Sequence, residues 1–115
     1  MVFDNDEREP TRDEVDQTPG PVLLEFGATW CGYCQALRPQ LDALLRQFPD
    51  VRHVWVADGK GKPLGRSFRV KLWPTLVFLR DGRVVKQVAR PDPSEVREGL
   101  EAISASPAPG DTSRR

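Results

Sequence analysis

Two cysteines separated by two residues, Cys31 and Cys34, have the residue type and spacing best suited to chemistry in this sequence. A thiolate attacks a disulfide to form a mixed disulfide, and a second thiol nearby then releases the bound partner. The two are the only cysteines of the chain, and they lie too close together to tie distant elements to each other. The spacing therefore favours thiol–disulfide exchange over an architectural disulfide.

Zinc binding is the alternative use of a cysteine pair. A closed tetrahedral site needs four ligands, and the one histidine of the chain, His53, lies far along the sequence. We therefore predict no metal site and no cofactor beyond the redox-active disulfide Cys31–Cys34. A metal held between two chains stays the minor alternative.

The residues around the cysteines predict a strand, a turn and a helix. The apolar run 22–26, interrupted by one carboxylate at Glu25, predicts a buried strand that ends at a glycine-containing turn. Apolar side chains then recur at spacings of three and four, which predicts a helix from Cys31 to about Phe48. Cys31 would lie at the helix N-terminus, where unpaired N–H groups and the helix dipole favour a thiolate, and Cys34 about one turn further on.

These features resemble the active-site half of a thioredoxin. The strand with its acid is followed by Trp30-Cys31-Gly32-Tyr33-Cys34 and by a helix that contains Pro39. A second motif, Trp73-Pro74-Thr75, stands about forty residues further on, where the family has its cis-proline, and the apolar run 76–79 follows it. Because two motifs occur in register, the sequence is identified as resembling the thioredoxin family.

The resemblance covers residues 20–104 and implies an α/β fold, with three α/β/α layers around a mixed four-stranded sheet. The first strand of the family is expected to be short, at Val2-Phe3, or missing. We predict three parts of the chain: an acidic N-terminal arm with a short helix at 1–18, a thioredoxin-like domain at 19–104, and a disordered tail rich in Pro and Ser at 105–115.

The resemblance also implies the site. Cys31 is the attacking thiolate and Cys34 the resolving thiol, and the substrates are proteins that contain disulfides. Two tryptophans beside these motifs are expected to line a shallow apolar groove that accepts an extended peptide. The substrate-binding residues predicted in this way are Trp30, Gly32, Tyr33, Trp73, Pro74 and Arg90.

Three positions depart from the family pattern. Tyr33 replaces the proline that thioredoxins usually hold between the cysteines, and Gly27 stands where a second tryptophan is common. Arg90 stands where relatives have a glycine beside the groove. The first departure is expected to alter the reduction potential, and the last to alter which substrates dock.

Glu25 is the third candidate catalytic residue. The resemblance places it where thioredoxins keep a buried acid, usually aspartate, which can take the proton of the resolving thiol. The strand that carries a buried lysine partner in the family reads Val54-Trp55-Val56 here, so we expect Glu25 to lack a lysine partner and to be mostly neutral. An acid on a solvent-facing strand is the alternative, and His53 is expected to be a surface residue without a catalytic role.

Turn residues and apolar patterns predict the remaining elements. Thr11 and Glu14 have the spacing of a capping box before a short helix, and Asp92 precedes the final helix. Trp55 is expected near the core. The other predicted elements are a helix at 12–17, a strand at 51–57, a short helix at 63–68, strands at 76–79 and 83–89 joined by a turn at 81–82, and a final helix whose apolar stripe is Val96, Leu100 and Ile103.

Composition limits the possible partners. The 17 basic and 17 acidic residues cancel, so the net charge does not favour nucleic acid. The sequence has neither an apolar run long enough for a membrane span nor the start of a signal peptide, so we expect a cytoplasmic monomer without membrane contact.

For a reducing enzyme, the resemblance implies a flavin-linked thioredoxin reductase as the electron donor, with glutathione as the alternative.

Two further classes of function remain open at this point. The first alternative is a more oxidising exchange catalyst that resembles a glutaredoxin or a disulfide isomerase. The second is a non-catalytic binding module or chaperone in which the cysteines are incidental.

Overall fold

One mixed sheet forms the middle layer of the computed structural model, which describes residues 9–104. Its order is β2-β1-β3-β4. β1 runs parallel to β2 and antiparallel to β3, and β3 and β4 form an antiparallel hairpin. The strands are β1 (Pro21–Gly27), β2 (Arg52–Ala57), β3 (Thr75–Arg80) and β4 (Arg83–Ala89).

Helices cover both faces of this sheet. The helices are α1 (Arg12–Asp16), α2 (Gly32–Leu45), α3 (Pro63–Ser67) and α4 (Pro93–Ile103). Buried side chains of α2 and α4 pack against one face, and those of α1 and α3 against the other. The predicted three-layer α/β/α fold with a mixed four-stranded sheet is therefore confirmed for the described residues.

β1 is buried over its whole length because it lies between the two helical layers. Successive side chains of a strand point to opposite faces. Leu23 accordingly packs in the cluster that contains α2, whereas Leu24 and Phe26 pack in the cluster that contains α3. Glu25, two residues after Leu23, thus points toward α2 and lies beneath it.

Capping residues predicted the starts of two helices correctly. The Thr11 side chain accepts a hydrogen bond from the Glu14 N–H, and the Glu14 carboxylate accepts one from the Thr11 N–H. Asp92 and Glu95 form the same reciprocal pair at α4. Each pair satisfies backbone donors that have no partner within the helix, so the N-termini of α1 and α4 are both defined by local sequence.

The end of α2 differs from the prediction. The helix ends at Leu45, three residues before Phe48, and Cys31 is its N-cap. The N–H groups of Gln47 and Phe48 donate to carbonyls three residues earlier, at Leu44 and Leu45. The chain therefore continues in tight turns after the last regular helical bond, which the apolar spacing alone did not distinguish from helix.

Residues 9–18 pack on the domain. Glu9 Oε2 accepts a hydrogen bond from the Leu64 N–H at 3.0 Å, Arg12 Nη1 donates to the Ser67 carbonyl at 2.9 Å, and Val15 is buried in the core. The strand predicted at Val2-Phe3, residues 1–8 of the N-terminal arm and the tail predicted at 105–115 lie outside the described residues. No helix within 9–104 has the length and apolar character needed to span a membrane.

Candidate active site

The turn that follows β1 places Cys31 at the N-terminus of α2, and Cys31 is the N-cap of this helix. Its N–H donates to the Ala28 carbonyl at 3.1 Å. Its Sγ accepts a hydrogen bond from the Cys34 N–H at 3.2 Å. The sulfur therefore occupies the position of an N-cap acceptor, where backbone N–H groups and the helix dipole stabilise negative charge.

Cys34 lies one turn into α2 and differs from Cys31 in its electrostatic surroundings. Both residues are buried, and their Sγ atoms lie 2.6 Å apart. Burial raises the pKa of the Cys34 thiol to about 11, and its hydrogen bond to Cys31 acts in the same direction. Cys34 is thus a thiol at neutral pH, and it must lose a proton before it can attack a disulfide.

A charged network lies beneath Cys34. The Glu25 side chain is 0% exposed; its Oε1 lies 2.7 Å from His53 Nε2, and its Oε2 lies 3.3 Å from Arg38 Nη2. Strand β1, strand β2 and helix α2 each supply one member of this network. A buried carboxylate is retained at low cost only when such partners satisfy its oxygens.

The predicted surface position of His53 was wrong, and Glu25 has basic partners that were not predicted. Glu25 has two basic partners, Arg38 from the helix above it and His53 from the neighbouring strand, although no lysine follows on β2. His53 is half-buried, not a surface residue, because it pairs with Leu23 in the sheet and faces the same side as that residue. The alternative of a solvent-facing acid is excluded by the burial of Glu25.

A pocket of about 420 Å³ opens beside Cys34. Next to it, Gly27 packs tightly: a Cβ atom there would lie 2.6 Å from Cys34 Sγ and 3.0 Å from the Trp55 ring. Trp55 is half-buried at the pocket wall, with the Arg38 guanidinium 5.6 Å from its ring centroid. The lining residues are Ala28, Thr29, Cys34, Gln35, Arg38 and Trp55.

A shallow groove of about 340 Å³ lies on the other side of the cysteine pair, next to Cys31. Trp30 is 74% exposed and Tyr33 is 61% exposed. The Trp30 and Trp73 rings meet edge to face at 5.4 Å. The lining residues are Trp30, Cys31, Gly32, Tyr33, Lys71, Leu72, Trp73 and Arg90.

Five of the six predicted substrate-binding residues thus line this groove, whereas Pro74 does not. Pro74 is buried, the peptide bond between Trp73 and Pro74 is cis, and the Pro74 carbonyl accepts a hydrogen bond from the Arg90 N–H at 2.7 Å. Lys71 and the exposed Leu72 were not predicted as groove residues. Their position directly before the Trp-Pro motif was the signal that could have indicated them.

Arg90 joins the two walls of the groove. Its φ is +51°, in the left-handed region that glycine adopts most easily, which fits the glycine of the family at this position. Its guanidinium lies 4.0 Å from the centroid of the Tyr33 ring, and its Nε donates to the Trp73 carbonyl at 3.0 Å. The arginine therefore adds a positive charge to the groove beside Cys31.

Metal ligands are not grouped in the described part of the chain. No three histidine, cysteine, aspartate or glutamate side chains within 9–104 lie close enough together to hold an ion. The two sulfurs, Glu25 and His53 are instead arranged as a thiol pair with an acid–base group beneath it. This arrangement is suited to thiol–disulfide exchange coupled to proton transfer.

Comparison with known proteins gives the same result over most of the chain. The family model described as Thioredoxin matches residues 5–102. Thioredoxin Asp f 28 of Aspergillus fumigatus is 33% identical over 87 residues, which cover 75% of this chain and 81% of that protein. Thioredoxin 2 of Pseudomonas aeruginosa PAO1, solved in its reduced form, is 52% identical with a TM-score of 0.73, and the match covers 84% of this chain and 90% of that one. Mitochondrial thioredoxin 3 of Saccharomyces cerevisiae is 27% identical with a TM-score of 0.70, and the match covers 79% and 85% of the two chains.

Proposed function

The chain belongs to the thioredoxin family and is a thiol–disulfide oxidoreductase, and from this premise we propose which residues carry each step. Cys31 attacks the disulfide of a protein substrate, and Cys34 resolves the mixed disulfide. The observation that carries this assignment is the asymmetry of the pair: Cys31 Sγ accepts a hydrogen bond at the helix N-terminus, whereas burial raises the pKa of Cys34. The similarity to proteins named thioredoxins does not favour the glutaredoxin, isomerase or binding-module alternatives.

In the first step the Cys31 thiolate attacks one sulfur of the substrate disulfide. A bond forms between that sulfur and Cys31 Sγ, and the second substrate sulfur leaves with the electron pair and takes up a proton. The N–H of Cys34 and the dipole of α2 stabilise the attacking thiolate. The attack itself requires no base, because the thiolate form of Cys31 is the nucleophile.

In the second step Glu25 takes the proton of the Cys34 thiol, and Cys34 Sγ attacks Cys31 Sγ. The bond between Cys31 and the substrate breaks, and the substrate sulfur leaves as a thiolate. The two cysteines are oxidised to a disulfide while the substrate disulfide is reduced to two thiols. Glu25 suits this role because it is buried beneath Cys34, and its charge contributes to the raised pKa of that thiol.

The groove beside Cys31 binds an extended stretch of the substrate. Trp30, Tyr33 and Trp73 supply exposed or half-buried aromatic surface, and Gly32 leaves open space above the helix start. Arg90 supplies a charge for an acidic neighbour of the disulfide. Pro74 acts through its neighbour Trp73, since its own ring is buried.

The proposal also covers the electron donor, the oligomeric state and the cellular location of the protein. The oxidised pair is reduced again by a flavin-linked thioredoxin reductase, with glutathione as the alternative donor. The protein works as a monomer in the cytoplasm, where thiols are kept reduced. Two mixtures distinguish the donors: NADPH with thioredoxin reductase, and NADPH with glutathione and glutathione reductase. The measurement is which mixture sustains reduction of a protein disulfide.

Two cysteine variants test the assignment of roles. With a disulfide-bonded protein as substrate, Cys31→Ser should show no reduction above background and should form no mixed disulfide. Cys34→Ser should accumulate a mixed disulfide through Cys31, identified by mass spectrometry, and should release it only after an external thiol is added. A mixed disulfide formed through Cys34 in the Cys31→Ser variant would contradict the assignment.

A further inference from the structure

His53 connects the buried Glu25 to solvent through a group able to carry a proton. Its Nε2 lies 2.7 Å from Glu25 Oε1, and its side chain is 22% exposed, whereas that of Glu25 is 0% exposed. We propose that His53 is a positioning residue that transfers protons between Glu25 and solvent during the resolving step. This inference rests on the proposed role of Glu25 as the base for Cys34.

The two partners of Glu25 differ in what they can do with a proton. Arg38 Nη2 lies 3.3 Å from Oε2, and a guanidinium stays protonated in proteins, so it can hold the carboxylate but cannot accept its proton. The imidazole of His53 can accept a proton at one nitrogen and release one from the ring. Of the two, only His53 can return Glu25 to its basic form.

The charged groups that face Glu25 come from two elements. From α2 these are Cys34 and Arg38, and Arg38 also contacts Asp42, with 3.7 Å between Nη1 and Oδ1. From β2 the group is His53. On this face β3 and α4 contribute apolar side chains to the core: Leu76, Phe78, Val96, Leu100 and Ile103. Arg80 of β3 donates to the Ile103 and Ser104 carbonyls at the end of α4.

The proposed step balances without an added reactant. The Cys34 thiol gives its proton to Glu25, Cys34 Sγ bonds to Cys31 Sγ, and the substrate thiolate leaves with the electron pair of its former bond. The protonated Glu25 then passes the proton to Nε2 of His53 in its Nδ1–H tautomer, and the resulting imidazolium loses the Nδ1 proton to solvent. Exchange with solvent returns the ring to the Nδ1–H tautomer before the next turnover. Glu25 is again a base, and the only net product of the relay is one proton in solution.

A competing route is visible in the structure. The pocket beside Cys34 opens to solvent, so water there could take the proton directly from the Cys34 thiol. The relay and the pocket differ in one testable way. Only the relay depends on the imidazole of His53.

The experiment uses two variants of the full chain and a single-turnover measurement of each step. His53→Ala removes the ring, and His53→Gln keeps a hydrogen-bonding group for Glu25 but cannot relay a proton. In both, release of the mixed disulfide should slow by about 10-fold or more, while attack by Cys31 stays within about twofold of native. Lys86→Gln, a substitution on β4 that removes an ion pair with Glu98, is the control and should change neither step.

Added imidazole separates proton transfer from a structural effect. It should restore release in folded His53→Ala in proportion to its concentration, and it should not accelerate the native protein. The pH profile of release should change shape in His53→Gln, which a uniform structural loss would not produce. Native release in His53→Gln, equal slowing of both steps, or no rescue of folded His53→Ala would overturn the relay.

Failure of the relay and failure of the proposed function give different results. If Glu25→Gln slows release and His53→Gln does not, Glu25 is the base and its proton returns to solvent by a route that does not use His53. If Glu25→Gln itself leaves release at the native rate, the role of Glu25 is wrong and the relay is wrong with it.

Discussion

The two sides of the cysteine pair differ in the kinds of side chain that surround them and in their exposure to solvent. On the side of Cys31, exposed tryptophan and tyrosine rings and the Arg90 guanidinium form a shallow groove. On the side of Cys34, a fully buried carboxylate with two basic partners lies beneath the helix. One turn of α2 thus separates the proposed substrate groove from the proposed proton-transfer network.

This difference predicts different responses to substitution. Groove contacts are partly solvated, so each is expected to contribute little to stability and modestly to binding. Contacts on the inner side are desolvated and tightly packed, so changes there should have larger effects on rate and stability. The following experiments test that contrast, in order of decreasing effect.

Glu25→Gln should separate the two steps of the reaction most strongly. The variant keeps the shape of the side chain and removes the base, so release of the mixed disulfide should slow by about 100-fold while attack changes little. Stopped-flow measurement of the two steps with a disulfide-bonded substrate checks this. Glu98→Gln, an exposed substitution on α4, serves as the control. Equal slowing of both steps would remove the distinction between the inner and outer sides.

Gly27→Ala should destabilise the inner side without touching the groove. The new Cβ would lie 2.6 Å from Cys34 Sγ, so the unfolding free energy should fall by about 1–3 kcal/mol in urea titrations. Gly59→Ala is the matched control, since the nearest atom to its Cβ is Lys62 Cγ at 3.8 Å. A loss of equal size in the two variants would show that the crowding at Cys34 carries no cost.

Stability of the reduced protein should fall with rising pH because of Cys34. Its pKa is raised from 9.0 to about 11 by burial, so above pH 9 the unfolded chain releases this proton before the folded one does. The stabilisation is complete below about pH 9 and is lost as pH approaches 11, with a slope of at most ~1.4 kcal/mol per pH unit. Urea unfolding of native protein and Cys34→Ser at several pH values isolates this contribution. Parallel curves for the two proteins would contradict it.

Arg90→Ala should give the smallest change. It removes the contact with the Tyr33 ring and the hydrogen bond to Trp73, so kcat/KM for an acidic protein substrate should fall about two- to fivefold. Stability should change little. Arg83→Ala removes the same charge from the start of β4 and should leave kcat/KM at its native value. A loss in Arg83→Ala as large as in Arg90→Ala would assign the effect to overall charge.

The groove side could largely be predicted from the sequence, because its residues lie next to short motifs. The Cys-x-x-Cys spacing, the apolar stripe after it and the Trp-Pro pair indicated a helix start, a buried helix face and a neighbouring loop. Capping residues at Thr11 and Asp92 indicated two further helices. In each case the information lies within a few residues of the feature it predicts.

The inner side could not be predicted in the same way, because it depends on pairing between distant segments. His53 meets Glu25 only through the parallel register of β1 and β2, and the residues 51–57 alternate too weakly to show which face His53 takes. Arg38 follows the apolar Leu37 on the helix, where an arginine is usually solvated. The pairing of these charges is a tertiary effect.

The contact between Gly27 and Trp55 also restricts the order in which this interior can change over generations. A larger side chain at Gly27 would collide with the tryptophan ring 3.0 Å away, whereas a smaller one at Trp55 would only enlarge an existing pocket. Replacing Trp55 would remove the contact with its ring but not the one with Cys34 Sγ, which would still lie 2.6 Å from a Cβ at Gly27. Over generations, a larger residue at Gly27 therefore requires earlier changes both at Trp55 and in the helix that carries Cys34, so Gly27 is expected to be the last of these positions to gain volume.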